Sequence, residues 1–179
     1  MALRKILTDD HPSLRKVCRP YNDFTKRLHT LLDDMGETMM EENGVGLAAP
    51  QVGILRRACV VLETNVEEGE DEYIIELVNP EIIASDGEQT DLEGCLSFPQ
   101  KFGYVSRPEH VVVRAQDRDG NFFEVEGFGL TARAFCHEID HLDGNVFLDK
   151  TDHILTEEEL KALFEEQNEG SEDSGEAKE

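Results

Sequence analysis

Long apolar runs are missing from this 179-residue chain; residues 58–62 are typical of what there is. A membrane-spanning helix, which needs roughly 20 such residues, is excluded. The first ten residues carry Arg4, Lys5, Asp9 and Asp10 and hold no segment like the apolar core of a signal peptide. The expected location is the cytoplasm. Basic residues are scarce: 17 Lys and Arg face 40 Asp and Glu, for a net charge of −23. Such a charge repels phosphate backbones and anionic membrane faces, so neither nucleic acid nor a membrane is an expected direct partner. Cysteines are few and scattered, at positions 18, 59, 95 and 136. That spacing in a mid-sized chain argues against a disulfide framework and for free thiols or metal ligation. No internal repeat is visible. What remains, 39% apolar and 32% charged residues, describes one globular domain.

From Asp23 the residues Leu28, Leu31, Leu32, Met35 and Met39 follow helical spacing, and the pattern stops at Asn43-Gly44. Three β-rich runs follow, over residues 58–62, 73–78 and 81–84, separated by Gly, Asp, Asn and Pro. Residues 110–117 alternate, turn at Asp119-Gly120 and return through residues 122–126, as a hairpin does. Helical spacing resumes over residues 130–142, where Leu130, Ala134, His137 and His141 fall near one face. Thr156 to Glu159 forms a capping-box pattern that opens a C-terminal helix with Leu160, Leu163 and Phe164. Residues 157–179 hold ten acids and two bases. The last twelve, 168–179, are too polar to offset the entropy of ordering and are expected to be a disordered acidic tail behind a domain over 1–167.

His137-Glu138-Ile139-Asp140-His141 has the H-E-x-x-H form. On a helix it brings two imidazoles to one side of a divalent metal with the Glu beside it. This is hydrolytic chemistry: the metal activates water and polarises a carbonyl while the carboxylate moves the proton. A catalytic metal usually has three protein ligands, so one is missing. The extension H-x-x-G-x-x-H would supply it, and Gly144 fits, but its last position is Phe147. A downstream Glu from 157–159 is one alternative, which would make the chain a metalloendopeptidase. Cys95, within Glu93-Gly94-Cys95-Leu96-Ser97-Phe98-Pro99, is another, because a thiolate is a strong ligand. A third segment, residues 44–53, is a run of small residues around Gln51, too apolar for an ordinary surface loop and without the glycine pattern of a nucleotide site.

Taken together, Gly44-Val45-Gly46-Leu47-Ala48-Ala49-Pro50-Gln51, Glu93-Gly94-Cys95-Leu96-Ser97 and His137-Glu138-Ile139-Asp140-His141 resemble the three motifs of the bacterial-type peptide deformylases. The resemblance extends from about Ile6 through Phe147. It implies an α+β fold in which a mostly antiparallel sheet packs around a central metal-bearing helix, with an N-terminal and a C-terminal helix. It implies removal of the N-formyl group from the initiating formyl-methionine of nascent polypeptides, releasing formate. Cys95, His137 and His141 match the metal ligands, Glu138 the general acid/base, and Gln51 with the Leu96 backbone N–H the oxyanion donors. Gly44, Val45 and Gly46 would lie beside the substrate backbone, and Leu130 and Ala134 would wall the methionine pocket. Fe2+ is the metal the resemblance favours, although Zn2+, Ni2+ and Co2+ accept the same donors.

Two departures stand out. Cys136 occupies a position that is usually Gln in the family, and it is expected to point away from His137 and to pack. Some members carry a basic C-terminal helix thought to dock on the ribosome; the acidic tail here does not support such a contact. Besides the metalloendopeptidase, a dead peptide-binding module with a structural metal is an alternative, and the presence of Glu138 and Gln51 argues against it. His11, His29, His110 and His153 show no partner pattern.

Overall fold

The computed structural model describes residues 2–172, with side-chain surroundings through residue 165. Helix α1, Lys26–Glu41, buries the stripe Leu28, Leu31, Leu32, Met35 and Met39, as its spacing predicts. Strand β1, Gly46–Ala48, follows, and a short turn of helix over Ala49–Val52 holds Gln51. Strands β2, Ala58–Glu63, and β3, Tyr73–Asp86, come next. The separate strands expected at 73–78 and 81–84 are one long strand. Its register slips between Val78 and Glu81, where Asn79 adopts φ 52°. The Asn79 side chain fixes the bulge by accepting from Tyr21 N at 2.7 Å and donating to Tyr21 O at 2.9 Å. A bulge is where a strand tolerates Pro80, which has no N–H for the ladder.

Strands β4, Gln89–Cys95, and β5, Phe98–Arg107, pair with each other in a separate two-stranded sheet. Strands β6, His110–Gln116, and β7, Phe122–Phe128, form the expected hairpin. The main sheet has the order β1-β2-β3-β6-β7, and all its pairings are antiparallel. Helix α2 covers Gly129–Leu142. Helix α3, Glu157–Glu172, opens on the expected reciprocal cap: Thr156 N donates to Glu159 Oε2 at 2.7 Å and Glu159 N to Thr156 Oγ1 at 3.2 Å. It carries helix into the segment expected to be disordered from residue 168, and residues 173–179 lie outside the described residues.

Among the described residues the fold is thus α+β, with a mostly antiparallel sheet and three α-helices. Strand alternation decides how its layers stack. Ala58, Val60 and Leu62 of β2 face α1; Cys59 and Val61 point the other way, to Ala132, Phe135, Ile139 and Leu142 of α2. A smaller cluster of Leu14, Phe98, Val105, Val146 and Phe147 joins the β4–β5 hairpin to the chain beyond α2. The opposite side of α2 faces that hairpin through charged side chains. None of the described helices is long and apolar enough to cross a membrane.

Candidate metal centre

The i, i+4 spacing along α2 sets Arg133, His137 and His141 in one stripe, opposite the apolar face that grips the sheet. From the hairpin, Cys95 arrives at the end of β4, where the register slips after Gly94. One donor atom from each of Cys95, His137 and His141 lies within 4.8 Å of the others. Cys95 Sγ is 3.3 Å from His141 Nε2, and the two imidazole rings stand edge to face at 4.9 Å between centroids. Among the described residues this is the one group of three such side chains gathered closely enough to share an ion. Glu159, by contrast, is held by His153 at 2.9 Å on the exposed start of α3.

The donor chemistry fits a metal. Glu93 Oε1 accepts from His137 Nδ1 at 2.6 Å, which fixes the ring's tautomer and leaves Nε2 as the free donor. Burial alone would raise the Glu93 pKa, yet hydrogen bonds from His137 and Arg107 hold it well below the usual carboxylate range. His137 is desolvated, and its bonds to Cys95 and Glu93 still push its pKa up; His141, with burial dominating, is pushed down. Among the described residues, two buried side-chain polar atoms have no protein partner: His141 Nδ1 and Glu138 Oε2. Buried polar groups are rarely left so, and here both belong to residues of one small constellation.

Glu138 is 3% exposed, and burial raises its pKa to about 7. Gln51 is pinned from both ends. Its Oε1 accepts from Ala48 N at 2.8 Å, and its Nε2 donates to Ser97 Oγ at 3.1 Å while lying 3.5 Å from Cys95 Sγ. A cleft of about 520 Å³ opens onto this group and is lined by Gly44, Val45, Leu96, Leu130 and Ala134, among others. A larger hollow of about 680 Å³ lies at the N-terminal end of α1 and holds none of these residues.

The polypeptide deformylase family model matches residues 3–157. The chain belongs to this family. The peptide deformylase of Caldicellulosiruptor bescii is 55% identical over 161 residues, covering 90% of this chain and 93% of that one. Among solved structures, the Thermotoga maritima peptide deformylase superposes with a TM-score of 0.77 at 37% identity, covering 86% of this chain and all of that one. A class I type b peptide deformylase from Acinetobacter baumannii, bound to Met-Ala-Ser, gives a TM-score of 0.77 at 33% identity and covers 83% of this chain and 98% of that one. As a deformylase the protein is a metal-dependent hydrolase, and a protease reading with a ligand from 157–159 is not favoured.

Gly44, Val45, Gly46, Gln51, Cys95, Leu96, Leu130, Ala134, His137 and Glu138 line one cleft, and His141 stands beside Cys95, whereas Ile139 of the same motif packs in the core against the sheet. Cys136 is buried in the core cluster with the sheet. Gly144 serves the backbone: at φ 76° it follows the last turn of α2, and a Cβ there would stand 2.9 Å from Arg15 O. Phe147 stacks near His137, with 6.1 Å between ring centroids. No role was legible in the sequence for Arg107 and Arg133, which donate to Glu93, or for Asp140, which accepts from Arg107. Their one signal in sequence is charge at positions of a helix and a strand where a core would be apolar.

Proposed function

We propose that Cys95, His137 and His141 hold one divalent ion on a central metal-bearing helix, α2, and that Glu138 is the general acid/base of deformylation. The close convergence of three donor atoms beside a buried carboxylate with an unpartnered oxygen carries this reading. The ion we assign is Fe2+, on the family resemblance. When bound, it supplies Lewis acidity, polarising the formyl carbonyl and lowering the pKa of a water.

The protein's residues do the rest. Glu138 takes the proton as water attacks the formyl carbon and returns it to the amine nitrogen as the C–N bond breaks, leaving formate and a free N-terminus. A pKa near neutrality suits a group that must hold and release the same proton. The second N–H of Gln51, on the Cys95 side, and the Leu96 backbone N–H donate to the carbonyl oxygen as it gains charge. Gly44, Val45 and Gly46 pair with the peptide backbone like an added strand, so recognition beyond the first residue depends little on side chains. Leu130 and Ala134, with Val45, form the methionine pocket.

The Met-Ala-Ser bound to the Acinetobacter enzyme is the product that formyl-Met-Ala-Ser would give. Formate release from that tripeptide tests the reading. Glu138→Ala should lower kcat by about 10²–10⁴-fold with metal retained, and Cys95→Ala should lose metal. A Cys95→Ala protein that keeps both would overturn it. Iron content of protein purified without oxygen, and loss of activity on aeration, test the assignment of Fe2+. We take residues 1–167 as the catalytic domain, of which the family model covers 3–157. We place the protein in the cytoplasm with its nascent-chain substrates.

A further inference from the structure

Behind His137 lies a buried charge network that the reaction itself does not use. Glu93 is 5% exposed, and four hydrogen bonds converge on its two oxygens. Oε1 accepts from His137 Nδ1 at 2.6 Å and from Arg107 Nη2 at 2.7 Å. Oε2 accepts from Arg107 Nε at 3.2 Å and from Arg133 Nη1 at 2.8 Å. Arg107 places its remaining nitrogen, Nη1, on Asp140 Oδ2 at 2.6 Å. Arg133 anchors itself on backbone, donating from Nη1 to Val105 O at 3.0 Å and from Nη2 to Gln89 O at 3.4 Å.

An ionised carboxylate has about four acceptor positions, and here all four are taken. The Arg107 fork sets the plane of the carboxylate. Arg133 closes the last position on Oε2, so that Oε1 stays turned to His137. The partners come from different elements: His137, Arg133 and Asp140 from α2, Glu93 from β4 and Arg107 from β5. The network therefore fixes an imidazole relative to the strand that delivers Cys95, only two residues beyond Glu93.

We infer that Arg133 is a positioning residue: by completing the hydrogen bonding of Glu93 it holds the His137 ring in the orientation that retains the metal. This rests on the ligand assignment proposed above. The competing role is direct, since Arg133 also borders the cleft and could touch the peptide.

The test uses the full chain loaded with Co2+, whose visible absorption bands report the ligand geometry. It compares the rate of cobalt loss to EDTA in the parent, Arg133→Met, Arg133→Lys, Glu93→Gln and the double variant Arg133→Met/Glu93→Gln. Disturbing such outer partners typically weakens metal binding 10- to 100-fold. Arg133→Met and Glu93→Gln should each speed cobalt loss by that factor and shift the bands. Arg133→Lys should restore part of the retention, and the double variant should be no worse than Glu93→Gln alone. The KM for formyl-Met-Ala-Ser of freshly loaded Arg133→Met should match the parent.

Parental cobalt retention in Arg133→Met overturns the inference, as does a raised KM with retention unchanged. So does an equal acceleration by Arg133→Met with Glu93 present or replaced, which marks a purely structural effect. Where Arg133→Met does not fold, Arg133→Lys and Arg133→Gln carry the same comparison against Glu93→Gln. A different result, cobalt bands unchanged in Cys95→Ser, overturns the ligand assignment and this inference with it.

Discussion

Gly46 and Glu138 touch: a Cβ on Gly46 would stand 2.3 Å from Glu138 Oε1 and 2.8 Å from its Cγ and Cδ. Strand β1 thus passes α2 at a point where only hydrogen fits, and the glycine is needed for space, not for a left-handed backbone. Glu138 is buried but borders the cleft, so its carboxylate can make way only by leaving its observed place. Gly46→Ala should therefore displace the carboxylate, lowering kcat for formate release by about 10²-fold. Overpacking should cost about 1–3 kcal/mol of stability. Steady-state kinetics and urea unfolding of the variant check both figures. Parental kcat would mean that the observed place of Glu138 is not the one the reaction needs.

Gln51 supports two separable predictions, because its two ends do different things. Its oxygen satisfies the Ala48 N–H, and its nitrogen reaches Ser97 Oγ and the Cys95 side of the cleft. Gln51→Glu keeps the acceptor but replaces the donor with negative charge beside the thiolate. It should lower kcat by about 10²–10³-fold while the Ala48 N–H keeps its acceptor. Gln51→Ala should show a similar loss of kcat and also destabilise the protein by about 1–3 kcal/mol, since the Ala48 N–H is left buried without a partner. Parental stability of Gln51→Ala would contradict the role given to its oxygen, and parental kcat in either variant the role given to its nitrogen.

The helices were legible because periodicity is a local signal. The Leu28-to-Met39 stripe and the Leu130-to-His141 face recur in the structure as α1 and α2. The β6–β7 hairpin was legible through its turn. Strands β4 and β5 were not: Gln89-Thr90-Asp91-Leu92-Glu93-Gly94-Cys95 has no apolar alternation, because the inward side chain Glu93 is a charge that only Arg107 and Arg133 make tolerable. Those partners lie 14 and 40 residues away in sequence, beyond any short motif. For the same reason the motif residues were readable one by one, while the network that holds His137 was not. The split of β3 at Asn79-Pro80 failed because a bulge, and not a turn, absorbed the proline.

The N-terminal segment supports a pH prediction. Asp34 on α1 accepts from Ala2 N at 2.7 Å and from Arg4 Nη2 at 2.8 Å and Nε at 3.1 Å. The bond from Ala2 N and the Arg4 guanidinium hold its pKa below the usual carboxylate value, against desolvation. A group whose pKa is lower folded than unfolded stabilises the fold above its unfolded pKa, about 3.9 for Asp. That contribution is lost as pH falls toward the folded value. The parent should therefore be more stable than Asp34→Asn at pH 6, and the gap should close below about pH 4. Urea unfolding across that range checks it; a gap that widens on acidification would show the sign to be wrong.

Helix α1 carries its charges against its own dipole. Lys26 and Arg27 occupy its first turn, where no acid is present, and Glu41 ends it with no base in the last turn. The N-cap, Thr25, makes no side-chain capping bond. Arg56 borders the same hollow as Lys26 and Arg27, with Asp23 as a nearby acid, while Arg4 on another part of its wall is paired with Asp34. A negative charge in the first turn is worth about 0.3–1 kcal/mol at low ionic strength. Lys26→Glu should raise stability by about that amount, even though it makes an already acidic protein more so. The α1 N-terminus lies about 24 Å from the cleft end, at 1.5 Å per residue over sixteen residues, so kcat and KM should stay at parental values. The gain should shrink as salt is added, because screening weakens interactions at an exposed helix end. Urea unfolding of parent and variant at low and at 0.5 M salt measures it; a destabilised variant, or a gain indifferent to salt, would show that local helix electrostatics do not govern this end of the molecule.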